Sequence, residues 1–403
     1  MVVELKSRPE RASQPLVPRL RSFHDEWIST SRIARFRRRP DEFPAGTEHK
    51  ASQAETKEPG TRNQEPGTGN QEPGTGNQEP GTLNRYNQTS FPASFRSLTL
   101  VCAMGMPASR TFRCLGLGEV LWDLLPGGKQ LGGAPANFAY HAHALGAQSW
   151  VISRVGADAS GREILERLRQ LGLEAAGVSV DPVAPTGTVS VALDAEGHAS
   201  YTIHENVAWD FLEITASIQN AVAQADAICF GSLAQRHPVA RSSIRRILET
   251  APAGALRIFD INLRQHFHSP ALVEESLRLT NVLKLNEHEL PQVAQWLNLA
   301  GSATEQLKQL AARYSLKAVA LTQGSQGSML WVDGTIVQRP AAKIQVVDTV
   351  GAGDSYTAAL AIGLLAGHAL ERIIERAHQV AEYVCSQPGA TPPYPGWLLV
   401  AGY

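Results

Sequence analysis

The sequence carries no excess charge: 37 Lys and Arg stand against 38 Asp and Glu in 403 residues, a formal net charge of -1. The field that gathers nucleic acid or an acidic membrane surface is therefore missing, and a small-molecule substrate becomes the default expectation. Cysteine is scarce as well. Cys102, Cys114, Cys229 and Cys385 stand apart with no C-x-x-C pair, which fits neither a disulfide framework nor a zinc site and suits a reducing cytoplasm. No apolar run approaches the length of a bilayer span, the best candidate being the short stretch 98–106. The opening Met-Val-Val-Glu-Leu-Lys lacks the basic and apolar regions of a secretory signal, so a soluble cytoplasmic protein is expected. Two nucleotide fingerprints are also absent. There is no G-x-x-x-x-G-K-[ST] loop, and Gly116-Leu-Gly118 has no third glycine to complete a dinucleotide motif.

What is present divides the chain in two. Residues 1–110 read as a disordered extension in which Glu-Pro-Gly-Thr begins at Glu58, Glu65, Glu72 and Glu79. This seven-residue period is no coiled coil, because each unit contains Pro and Gly and none supplies apolar seam positions. Arg37-Arg38-Arg39 upstream is followed at once by Asp41 and Glu42 and reads as a solvated run. Met104 and Met106 stand just before the first strand, so the preceding segment reads as a tail or as sequence upstream of a later start.

From residue 111 to 398, short apolar runs alternate with amphipathic stretches, the pattern of βαβ units around a mostly parallel sheet. Strands are expected at 113–118, 150–155, 227–231, 257–261, 282–285 and 318–322, and helices at 136–145, 162–171, 239–250 and 304–314. The alternating segments 188–194 and 198–204 flank Ala195-Glu-Gly197 and read as a hairpin with one wet face. The expected architecture is one α/β domain with a small β-sheet lid from about 119–131 and 187–206.

The strongest chemical signal is Asp348-Thr-Val-Gly-Ala-Gly-Asp354, running into an apolar helix-forming stretch. Gly351, Ala352 and Gly353 leave backbone N–H groups open at the positive end of a helix, which is an anion site. Asp354 in the same turn is placed to take a proton from a hydroxyl attacking a phosphate, or else it is a helix cap. Leu131-Gly-Gly-Ala-Pro-Ala-Asn137 is a second glycine turn entering a helix. Gly132 and Gly133 admit a ligand to the backbone, and Asn137 offers the donor and acceptor that a polyol needs. Asp123, carried into the projecting segment, could accept from vicinal hydroxyls or be a surface-turn residue. Asn286 and Glu289 form a capping box or organise the water shell of Mg²⁺, which needs few direct protein ligands. Thr322, Gly324 and Gly327 allow close passage of a nucleotide after a strand. Asp260, Asn262 and Arg264 alternate at another strand's carboxyl end, where open α/β sheets hold ligands. Arg264 suits a phosphate or sugar oxygen.

In this order the motifs Gly118-Glu…Asp123, Gly132-Gly-Ala-Pro-Ala-Asn137, Asn262-Leu-Arg264, Asn286…Glu289, Thr322…Gly324…Gly327 and Asp348…Asp354 resemble the PfkB or ribokinase-like carbohydrate kinases. The resemblance runs from Phe112 nearly to the C-terminus and includes Pro388-Gly-Ala-Thr-Pro392. The Gly-Ala-Pro-Ala-Asn wording is similar to that of fructokinases. The resemblance implies a three-layer α/β/α sandwich with a β-lid, ATP as cosubstrate, Mg²⁺, and a homodimer through the lid. Asp354 would be the base, Gly351, Ala352 and Gly353 the anion hole, and Asn286 and Glu289 neighbours of Mg²⁺ and the phosphates. Thr322, Gly324 and Gly327 would lie at ATP; Asp123, Gly132, Gly133, Asn137, Asn262 and Arg264 at the sugar. Fructose is the expected acceptor. The alternatives are a ribose, 2-keto-3-deoxygluconate or nucleoside kinase, and a catalytically silent scaffold of the same fold.

Overall fold

The computed structural model describes residues 111–125, 127–193 and 199–400, so the Glu-Pro-Gly-Thr repeats and the Ala195-Glu-Gly197 turn lie outside the described residues. Thirteen strands occur among them: β1 (Arg113–Leu117), β2 (Leu121–Leu125), β3 (Gly128–Gly132), β4 (Gln148–Gly156), β5 (Val178–Asp181), β6 (Thr188–Leu193), β7 (Ala199–Ile203), β8 (Ala227–Phe230), β9 (Leu256–Asp260), β10 (Val282–Asn286), β11 (Ala318–Thr322), β12 (Ser328–Val332) and β13 (Thr335–Arg339). Between and after them run α1 (Ala134–Ala144), α2 (Ala159–Gln170), α3 (Ala216–Val222), α4 (Pro238–Thr250), α5 (Pro270–Leu279), α6 (Glu289–Leu297), α7 (Ala303–Tyr314), α8 (Ala352–Leu365), α9 (Leu370–Cys385) and α10 (Gly396–Val400).

Nine strands form one sheet in the order β13-β12-β11-β10-β9-β8-β1-β4-β5. All neighbours from β11 to β5 are parallel, with Cys114 of β1 level with Ser149 of β4 and Ala227 of β8. Only β12 and β13 run antiparallel, as a closing hairpin. A parallel sheet covered on both faces needs strands apolar on both sides, and the Ala-Ile-Cys-Phe of β8 is buried throughout. The large sheet is α/β, as expected. The helices supply matching stripes. In α7, for instance, Ser302 and Glu305 make a reciprocal cap, and Leu307, Leu310 and Ala311 turn inward. Helix α8 differs: Ser355 to Gly363 are all buried, which makes it a central helix with no wet face.

The second sheet has four strands, in the order β3-β2-β6-β7. Its β6 and β7 are the expected hairpin, with Val191 opposite Tyr201. Its other half, β2 with β3, falls in the expected lid segment 119–131, although the individual strands carry no strand pattern: Gly-Lys-Gln-Leu-Gly in β3 has no β-branched residue and an exposed start. Pairing to β2, with Asp123 opposite Gln130, makes it a strand.

Candidate active site at the strand switch

The chain leaves β1 toward β4 and β5, then returns to the other side of β1 through β8, β9, β10 and β11. Ligands of open α/β sheets sit where the order reverses, outside the carboxyl ends of the strands. Glu119 follows β1, Gly231 follows β8, and Asp260, Asn286 and Thr322 end β9, β10 and β11. Two helices begin over this edge. Gly133 caps α1 with φ 112°, and a side chain there would collide with the Glu119 carbonyl. Gly351 caps α8 with φ 80°, where a side chain would collide with the backbone of Ala390. Neither position tolerates another residue without strain.

Because α1 packs on α8, Asn137 meets Asp354 across 217 positions of sequence: Asn137 Nδ2 donates to Asp354 Oδ2 at 2.9 Å. Asp354 thus sits in the first turn of α8 without capping it, and the helix has no side-chain cap at all. Asn137 is 4% exposed, and its Oδ1 has no protein partner, which leaves an acceptor beside the carboxylate. The segment 388–392 braces the turn. Gly389 N–H donates to Asp348 Oδ2 at 3.0 Å, Tyr140 donates to the Pro392 carbonyl at 2.8 Å, and His141 Nε2 lies 2.9 Å from the Ala390 carbonyl.

The electrostatics are those of a desolvated acidic site. Burial, with repulsion from Asp260, raises the Asp354 carboxyl to about 6, against the Asn137 hydrogen bond, Lys284 and Arg264, which lower it. Asp354 keeps partial surface contact yet is densely surrounded. Glu119 is raised further, to about 7, mainly by burial. Asp123, on β2 of the small sheet, is raised to about 6 by burial, against the opposing Arg264. Arg264 is therefore the cation that Glu119, Asp123 and Asp354 share. At neutral pH such an Asp354 is mostly ionised and has more proton affinity than an ordinary aspartate, the property a general base needs.

The other expected residues fall around this point or beside it. Gly132 ends β3 opposite Leu121, directly against the Asp123 carboxylate. Asn262 takes φ 47° in the loop after β9 and accepts from Ser232 Oγ through its carbonyl at 3.3 Å. Asn286 Oδ1 accepts from His288 N at 2.9 Å and Glu289 N at 3.0 Å, while Glu289 accepts from Asn286 N at 2.8 Å and Leu263 N at 3.1 Å. The capping alternative is realised, displaced by two residues because α6 starts at Glu289 with His288 as its cap. Each Glu289 oxygen thus has a backbone donor, and no group of three His, Cys, Asp or Glu among the described residues is arranged to hold a metal ion. These residues fit a cation carried by phosphates and reached through water; they do not form a protein cage. Thr322 Oγ1 lies 3.5 Å from the Leu285 carbonyl, and Gly324 and Gly327 bracket the short 3₁₀ turn between β11 and β12.

The model of the pfkB family carbohydrate kinases matches residues 126–397. The chain belongs to this family. A fructokinase of Klebsiella pneumoniae is 32% identical over 262 residues, 62% of this chain and 83% of that protein. An uncharacterized sugar kinase from Pyrococcus horikoshii in complex with ATP superposes with a TM-score of 0.57 at 26% identity, over 70% of this chain and 94% of that one. A fructokinase with bound ATP from Xylella fastidiosa gives a TM-score of 0.62 at 23% identity, over 72% and 97% of the two chains, a likeness of fold.

Two parts of this carbohydrate kinase were missed from sequence. Lys284 lies in the middle of β10, 6% exposed, with its Nζ 3.1 Å from Asp260 Oδ1. A lysine inside the apolar run Val-Leu-Lys-Leu was the available signal. The stretch before Gly351 carries a run of exposed apolar residues, Ile344, Val346, Val347 and Val350.

Proposed function

We propose that this carbohydrate kinase phosphorylates fructose or a close analogue from ATP, with Asp354 as general base. The observation that carries the reading is the Asp354 carboxylate itself, fixed by Asn137 in the first turn of an uncapped helix and raised to about 6. The relatives named fructokinases and the ATP in solved neighbours support the two substrates.

In this reading residues 111–398 are the kinase unit, and the segments about 119–131 and 187–206 close over the sugar. Asp123, Gly132, Gly133, Asn137, Asn262 and Arg264 hold its hydroxyls. Asp354 takes the proton of the attacking hydroxyl as the sugar oxygen bonds to the γ-phosphorus. The bond from that phosphorus to the β–γ bridging oxygen breaks, and ADP leaves with the electron pair. The backbone of Gly351, Ala352 and Gly353, at the positive end of α8, stabilises charge on the transferring phosphoryl. Thr322, Gly324 and Gly327 line the nucleotide. Asn286 and Glu289 reach the water shell of Mg²⁺, which would neutralise phosphate charge.

A homodimer would form on the small sheet, where Leu124 is 39% exposed, and sedimentation at several concentrations checks it. Cytoplasmic ATP suits the reaction, and no helix among the described residues is long and apolar enough to cross a membrane. The test is ADP release with fructose, ribose, 2-keto-3-deoxygluconate and nucleosides, with and without Mg²⁺. Fructose is expected to lead, and Asp354→Asn to lose roughly 10²–10⁴-fold in kcat while folding normally. Near-native turnover in that variant would remove Asp354 from the role.

A further inference from the structure

Under the glycine turn lies a charge cluster that the reaction as described does not use. Lys284 Nζ lies 3.1 Å from Asp260 Oδ1, and both residues are buried. The other oxygen of Asp260 accepts from Thr357 Oγ1 at 3.0 Å, and the same hydroxyl is 2.9 Å from the Gly353 carbonyl. The ammonium also reaches the turn from below, since a Cβ placed on Gly353 would stand 3.0 Å from Nζ. Strand β9, strand β10 and the first turn of α8 are thus joined through one cation.

Burial alone would strip the proton from a lysine here. The buried Asp260 carboxylate, 3.1 Å from Nζ, is the partner that keeps it charged. A buried ion pair is a weak source of stability, because apolar side chains of the same volume would often serve as well. The charge itself therefore asks for a reason. Carboxylates crowd one edge of the sheet, and Arg264, the other cation that acts on Asp354, is only half-buried.

We infer that Lys284 is a positioning residue for phosphoryl transfer: clamped by Asp260 beneath Gly353, its ammonium is the fixed positive charge of the active-site floor and acts through Asp354. The inference rests on the proposed role of Asp354 as base. The charged or titratable groups that face Asp354 are Glu119 after β1, the Cys229 thiol on β8, Asp260 on β9, Arg264 in the following loop and Lys284 on β10. Lys284 and Asp260 act on it with opposite signs.

Opposite signs give a test that a merely structural pair would fail. Profiles of kcat against pH are measured on the full chain for wild type, Lys284→Met, Lys284→Arg and Asp260→Asn. Removing the cation is expected to move the acidic limb up by roughly one pH unit, and removing the anion to move it down by a similar amount. Lys284→Arg is expected to stay near wild type. Both breaks of the same ion pair shifting the limb in one direction, or neither shifting it, overturns the inference. If Lys284→Met fails to fold, Lys284→Gln takes its place: a limb that stays at the wild-type position refutes the inference. Asp354→Asn, run alongside, separates the two readings. An active Asp354→Asn sinks the base, whereas an inactive one with unmoved limbs in the other variants sinks only the role of Lys284.

Discussion

Asn137→Ala removes the one hydrogen bond that Asp354 receives from α1, a 2.9 Å contact from Nδ2 to the carboxylate. A donor to the charged form lowers a carboxyl's proton affinity, so its loss raises it. Hydrogen bonds to charged groups contribute about 1.5–3 kcal/mol, and about 1.4 kcal/mol corresponds to one pH unit, so the shift is roughly one unit or somewhat more. The acidic limb of kcat, set at about 6 by Asp354, then moves to roughly 7. Under sugar saturation the variant loses roughly threefold at about pH 6.5 and about eightfold at about pH 5.5, and almost nothing above about pH 8.5. Coupled ADP release across this range reads the effect directly. A loss of equal size at every pH would refute the reasoning, because it would make Asn137 a sugar contact with no hold on the base.

Three further outcomes follow from the same geometry. Glu119 has its carboxyl at about 7 in the fold against an ordinary value of 4.5, so the folded state keeps a proton that the unfolded chain releases, and stability falls as pH rises through that window. The difference corresponds to about 3 kcal/mol as an order of magnitude, and Glu119→Gln is expected to flatten the fall, with a higher Tm at about pH 8 and no gain at about pH 4. Equal slopes in both proteins would remove burial as the cause. Gly351→Ala forces a side chain onto φ 80° and into Ala390; a loss of about 1–3 kcal/mol in denaturant unfolding is expected, together with turnover, and unchanged unfolding would contradict it. Asp123→Ala should raise the sugar KM by roughly ten- to a hundredfold while the KM for ATP holds, and an unaltered sugar KM would make Asp123 a turn residue.

Six parallel strands and several helices were legible because period and burial are written locally. Four apolar residues in a row at β8, or a stripe on α7, mean the same thing wherever they sit in a fold. The hairpin of β6 and β7 announced itself by alternation. The pairing of β2 with β3, the antiparallel edge of β12 and β13, and the short β5 did not, since each depends on a neighbour to complete its hydrogen bonds.

The site divides along the same line. By itself the sequence determined the order of the motifs, the glycine turn of Asp354 and hence the family of chemistry. Tertiary structure decided what those residues touch: Asn137 on Asp354, Glu289 on the backbone of Leu263, and Lys284 between Asp260 and Gly353. Such contacts join residues far apart in the chain, and they turn on a few tenths of an ångström of helix placement that no local pattern encodes.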